Sequence, residues 1–120
     1  MDSDTPERFD AAAIGRLRRF GGDALLFEMI DLLTVSGPAR LAVVREAIAG
    51  GDAATARAAL HSLKSSTGQL GALALQALCE RAEQIAAASD VAGVAALLPA
   101  LDAESNAMVA RLAAIRQGDA

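Results

Sequence analysis

Ala56-Arg57-Ala58-Ala59-Leu60-His61-Ser62-Leu63-Lys64-Ser65-Ser66-Thr67-Gly68-Gln69-Leu70-Gly71 is the stretch on which the reading of this chain turns. Ala56, Leu60, Leu63, Thr67 and Leu70 recur at spacings of four, three, four and three, which is the period of one buried helix face. At about 100° per residue, His61, the only histidine, lies roughly 140° from the middle of that seam. Its helical neighbours are Arg57, Ala58, Lys64, Ser65 and Gly68. Three of these five are small, so nothing bulky shields the ring, and the other two are cationic. A glycine inside a helix costs on the order of 0.5–1 kcal/mol relative to alanine. Clearance for a partner beside His61 is the expected reason for Gly68.

Outward from this helix the same period continues. Asp10 is placed to cap a short helix at about 11–20, with Ile14 and Leu17 inward and Gly21-Gly22 ending it. Asp23 then caps a second helix carrying Leu25, Leu26, Met29, Leu32 and Leu33. Gly37-Pro38 interrupts the pattern, which resumes through Leu41, Val44 and Ile48 to Gly50-Gly51. One long kinked helix is the expectation, with a new helix capped by Ser36 as the alternative. Asp52 caps the histidine helix, which runs to about Gln69. A further helix is expected at about 72–88, with Leu73, Leu78, Ala82 and Ile85 inward and Gln76, Glu80 and Glu83 more polar. Ser89-Asp90 opens the last one, about 91–116, with a bend near Pro99 and Val94, Leu98, Leu101, Met108, Leu112 and Ile115 apolar.

No strand-like alternation and no fixed repeat interrupts these helices. Short polar links between long amphipathic helices predict an all-α, antiparallel up-down four-helix bundle with a short additional N-terminal helix. At 120 residues this is one domain, 1–120, ordered over about 10–116 with tails at 1–8 and 117–120.

Composition narrows the function. Hydrophobic residues make up 53% of the chain and aromatics only 2%, so the core is aliphatic and rich in alanine. A net charge of −4 argues against nucleic acid, which demands clustered cations. No segment approaches the roughly 18 apolar residues of a membrane span, and the acidic N-terminus is unlike a signal peptide. Cys79 is the single cysteine, which excludes an internal disulfide and fits a cytoplasmic location. One histidine and one distant cysteine cannot supply a metal site. A hydrolase triad fails as well, because Asp52 and Asp90 read as caps and no serine occupies a nucleophile elbow. Geometry alone leaves His61 as an exposed side chain of the kind that is usually only solvated.

His61-Ser62-Leu63-Lys64, followed by small residues and Leu70-Gly71, resembles the His-x-Leu-Lys-Gly-x-x-x-x-Leu-Gly signature of histidine phosphotransfer (HPt) domains. Gly51-Asp52, Ala59, Leu75, Cys79 and Ala82-Glu83 also fall where that family places comparable residues, so the resemblance spans about 10–116. It departs in two places. Ser65 stands for the family's glycine after the lysine, and Ala82 replaces a larger apolar residue.

The resemblance implies a phosphorelay intermediate that takes a phosphoryl group on His61 from a receiver-domain aspartyl phosphate and passes it to another receiver. Lys64 would stabilise phosphoryl charge, and Glu83 would orient the ring. Arg57, Ala58, Ser65 and Gly68 would form or clear the docking surface. Partners would be response-regulator receiver domains, including those of a hybrid sensor kinase. No cofactor is expected, and any Mg²⁺ would sit on the receiver.

The chain has no glycine-rich nucleotide loop, and His61 lacks the following Glu and Pro of dimerising sensor-kinase segments. A monomeric phosphoryl carrier without autokinase activity is therefore expected, and the Met1 start favours a free-standing protein over an excised module. The phosphoacceptor domain of a chemotaxis-type kinase would require kinase domains that this chain lacks. The alternative from another class is a non-phosphorylated helical adaptor, which need retain neither His61 nor Lys64.

Overall fold

The structure, a computed structural model, describes residues 8–118. Within them lie four helices and no strand: α1 (Ala11–Ala49), α2 (Ala53–Gln69), α3 (Leu73–Ala87) and α4 (Val91–Arg116). Three of the helices begin at an aspartate whose carboxylate accepts from a backbone N–H. Asp10 accepts from Ala12, Asp52 from Thr55 and Asp90 from Gly93, each satisfying a donor that the first helical turn leaves free.

Burial follows the helical period in each element. In α2 the buried residues are Ala56, Leu60, Leu63 and Thr67, and in α3 they are Leu75, Cys79, Ala82 and Ala86. α4 contributes Val94, Leu101, Met108, Leu112 and Ile115. Leu26, Ile30, Leu33, Leu41 and Val44 of α1 complete the same cluster. Helix α1 packs on α2 and α4, and α3 lies against α2 and α4.

α1 runs on as one helix through Gly37-Pro38, as expected, and the expected stop at Gly21-Gly22 is a break inside it. It passes through Gly37-Pro38 with helical dihedrals, and its one non-helical residue is Gly22, at φ 71° and ψ −173°. Side chains rarely adopt that conformation, so glycine is the residue that permits the break. Pro38 lacks an N–H and its carbonyl partner loses one bond, yet burial of Gly37 on one side and Leu41 on the next turn keeps the helix continuous. Ser36 does not open a new helix. Its hydroxyl instead accepts from Arg40, at 3.3 Å. Asp23 is engaged by Arg18 at 2.9 Å. Pro99 likewise lies inside α4 without ending it.

Two expected core residues face solvent. Leu32 is 63% exposed and Leu73 36% exposed. Leu32 stands one residue ahead of buried Leu33, so it falls about 100° off the seam. Leu73 is the first residue of α3, and Leu70, Ala72 and Leu75 fill the core at that corner.

α3 has no side-chain cap, and the segment ahead of α1 supplies the missing acceptor. The Arg8 carbonyl accepts from Ala74 N–H at 3.2 Å, while Asp10 N–H donates to the Gly71 carbonyl at 2.8 Å. Arg8 also pairs with Glu104 at 3.0 Å, so this residue belongs to the bundle rather than to a tail. The remainder of the expected N-terminal tail, and residues 119–120, lie outside the described residues. Gly71, at φ 74°, reverses the chain where a Cβ would strike the Asp10 carbonyl and Ala13. The Leu70-Gly71 pair thus has a local cause: Leu70 is buried, and only glycine fits the turn beneath residue 10.

Candidate functional site

The spacing of α2 sends His61 outward, and its side chain is 62% exposed. One turn on, Lys64 is half-buried, with its stem along the α2–α3 junction. α3 brings Glu83 to the same place. Ala82 faces the core, so its neighbour Glu83 stands at the edge of the α2–α3 contact with a side chain only 14% exposed. The carboxylate bridges both residues. His61 Nδ1 is 2.9 Å from Glu83 Oε2, and Lys64 Nζ is 2.8 Å from Glu83 Oε1.

The hydrogen bond from Lys64 holds the Glu83 carboxyl below its ordinary range, against a burial effect that acts the other way, with His61 adding to the lowering. Lys64 is raised in turn, chiefly by its hydrogen bond to Glu83 and against burial. An ionised carboxylate can only accept, so the hydrogen between His61 and Glu83 belongs to Nδ1. In the neutral ring the lone pair then resides on Nε2, the nitrogen opposite Glu83. When Nε2 attacks an electrophile the ring becomes cationic, and the carboxylate at Nδ1 stabilises the charge that develops.

An open depression beside the ring is lined by Ala54, Arg57, Ala58, His61 and Glu83. A second, adjoining one is lined by Arg57, Lys64, Glu80, Glu83, Gln84 and Ala87. Ala58 and Ser65 are exposed, consistent with an unobstructed face around His61. Ser66 and Thr67 are turned away from this chemistry. The Ser66 hydroxyl donates to the Ser62 carbonyl at 3.2 Å, and the Thr67 hydroxyl to the Lys64 carbonyl at 3.0 Å. Cys79 is fully buried beneath the site, and burial, reinforced by the Glu83 charge, pushes its thiol up to about 12. It is an inert core residue.

Gly68 has a neighbour that its position in the sequence does not suggest. A Cβ there would strike the side-chain amide of Gln76, which lies across the α2–α3 contact. The glycine leaves room over α2 for that amide, the end of a flexible side chain. Gln76, expected on a polar face, is half-buried for the same reason. Such a contact joins elements that the helical period of either one alone does not relate.

The model of the Hpt domain matches residues 28–118, and the chain belongs to the histidine phosphotransfer domain family. It is therefore a histidine phosphotransfer protein of a phosphorelay, a phosphoryl carrier whose interaction partners are response-regulator receiver domains. Among solved structures the chain is similar to the crystal structure of histidine-containing phosphotransfer protein B (HptB) from Pseudomonas aeruginosa PAO1. The two share 22% sequence identity over 94% of this chain and 97% of that one, with a TM-score of 0.87, a likeness of fold. No curated protein matches the chain. Among the described residues, no helix is long and apolar enough to cross a membrane.

Proposed function

We propose that His61 is the phosphoacceptor. Its Nε2 takes the phosphoryl group from the aspartyl phosphate of one receiver domain and yields it to the aspartate of another. The observation that carries this reading is the Nδ1–Glu83 contact of 2.9 Å on a ring that is 62% exposed. It fixes the nucleophilic nitrogen and leaves it open to a macromolecular partner. Lys64 stabilises the equatorial phosphoryl oxygens, since an ammonium with one donor on Glu83 keeps others for the incoming group. Glu83 is a positioning residue. Ala58, Ser65 and Gly68 keep the receiver's path clear.

In this reading the domain covers about residues 10–116 and acts as a cytoplasmic monomer. It binds no cofactor, any Mg²⁺ being held by the receiver, and it does not label itself from ATP. The three-residue links between consecutive helices support an antiparallel up-down order, and the break at Gly22 supports a short extra helix ahead of the bundle.

Incubation with a phosphorylated receiver tests the proposal. The wild-type chain takes up label, whereas His61→Gln, which keeps the fold, takes up none. Undiminished labelling of folded His61→Gln would refute the assignment. Labelling by ATP and Mg²⁺ alone would refute the carrier role.

A further inference from the structure

The two cations beside His61 are in different electrostatic states. Lys64 is 2.8 Å from Glu83 Oε1, so the carboxylate that serves the ring also offsets the lysine charge. Arg57 lies one turn before His61 on the exposed face of α2 and forms no ion pair among the described residues. Arg8 pairs with Glu104, Arg16 with Asp10, Arg18 with Asp23, Arg45 with Asp102 and Arg116 with Asp31, whereas exposed Arg19 and Arg81 share Arg57's lack of an ion pair among those residues but line neither depression at His61 and Lys64. Arg57 lines the depression that holds His61 and also the adjoining one that holds Lys64. Glu80 and Glu83 share the second depression without an ion pair to it. Ala54 and Ala58, the small residues of the first, leave the guanidinium room to move toward the ring.

We propose that Arg57 is a catalytic residue of the transfer, closing on the phosphoryl group at His61 Nε2 and supplying the net positive charge that the Lys64–Glu83 pair lacks. This rests on His61 being the acceptor. In the step, the Nε2 lone pair forms the N–P bond while the P–O bond to the receiver aspartate breaks. The bonding electrons leave with the aspartate carboxylate, and the Nδ1 hydrogen stays between His61 and Glu83. The arriving group carries roughly two negative charges, into a site where the charges of Lys64 and Glu83 cancel. Residues at i and i+4 of a helix have Cβ atoms about 5–6 Å apart, which puts the guanidinium of Arg57 within range of a group on the ring. Its planar fork matches two phosphoryl oxygens at once, which a lysine cannot do.

The test uses the full chain with phosphoramidate as donor, so that no receiver is involved. The imidazole attacks phosphorus and ammonia departs with the P–N electron pair. Arg57→Gln should label roughly tenfold to a hundredfold more slowly than wild type, the range spanned by loss of one charge-assisted bond. Arg57→Lys should recover part of that rate, and circular dichroism should be unchanged in both. The Nε–H resonance of Arg57 should shift on phosphorylation of the wild-type protein. Labelling of Arg57→Gln at the wild-type rate would overturn the proposal. So would a defect seen only when a receiver is the donor, which would make Arg57 a docking residue, or an unmoved Arg57 resonance. A wild-type chain that forms no phosphohistidine would instead overturn the assignment of His61, and this inference with it.

Discussion

On one side of α2, Ala56, Leu60, Leu63 and Thr67 are sealed in the bundle; on the other, Arg57, His61 and Ser65 face solvent. The two faces share a backbone but not a cause. The buried face is fixed by apolar area removed from water, so a change there acts on stability first. The exposed face is free of that demand, and His61 on it is held by the carboxylate that α3 also brings to Lys64. Stability and chemistry are consequently separable within one helix, and substitutions on the two faces should separate them.

The sharpest contrast sets His61→Gln, which abolishes label uptake while moving stability by no more than about 0.5 kcal/mol, against Leu63→Ala. Leu63 is fully buried, and its truncation should cost about 2–5 kcal/mol in denaturant unfolding. The fraction that remains folded should still accept phosphate. Loss of transfer beyond the loss of folded protein would break the division between the faces.

Lys64→Ala comes next. Removing the ammonium should slow transfer roughly tenfold to a hundredfold with helix content retained, because alanine is the better helix former. Rates beside circular dichroism check this, and a drop in helicity matching the drop in rate would count against it.

Glu83→Gln probes how the two faces are joined. The Glu83 carboxyl lies below its ordinary value of 4.5 in the folded chain, so its contribution is complete above that pH and fades as pH falls through the folded value. Lys64 lies above its ordinary 10.5, so its share is lost only as pH rises past that value. Between these limits the pair contributes evenly. Unfolding measured from neutral pH downward should therefore show wild type losing stability relative to Glu83→Gln below about 4.5. Parallel curves would mean that the ion pair contributes nothing to the fold.

Ser65→Ala should produce the smallest effect, because it keeps the surface clear and improves helix propensity. Ser65→Gln, equally compatible with a helix, should weaken receiver binding by obstruction. Normal transfer by Ser65→Gln together with failure of Ser65→Ala would assign the hydroxyl a direct role instead of a permissive one.

Much of this arrangement is legible in the chain. The spacing of Leu60, Leu63 and Thr67 identifies the buried face of α2, and Asp10, Asp52 and Asp90 mark three helix starts, because both signals act within a few residues. Exposure of His61 follows from the same count. Gly68 was legible as unusual, but its contact with Gln76 was not, since Gln76 reaches it from another helix. The stop at Gly21-Gly22 was legible, but at Gly37-Pro38 local reading left a continuous helix and a new one capped by Ser36 both open, and the chain takes the continuous path. A proline forfeits one hydrogen bond wherever it stands, and whether the helix survives depends on what its flanking turns bury. Leu32 and Leu73 show the same limit at the margins of a seam, where a rotation of one residue exchanges core for solvent.

By itself the sequence determined the all-helical character, the helix boundaries set by capping aspartates, the core face of α2 and the signature around His61, all of which depend on a 3.6-residue period and short-range hydrogen bonds. Only the tertiary structure decided that Glu83, which the resemblance assigns to the ring of His61, also holds Lys64, that Gln76 lies over Gly68, and that residues 8–10 close the turn at Gly71. Those contacts span 22 residues in the case of His61 and Glu83, and they form only when α2 and α3 pack at one particular separation and rotation. Side chains on both helices set that geometry together, which is why neither helix discloses it alone.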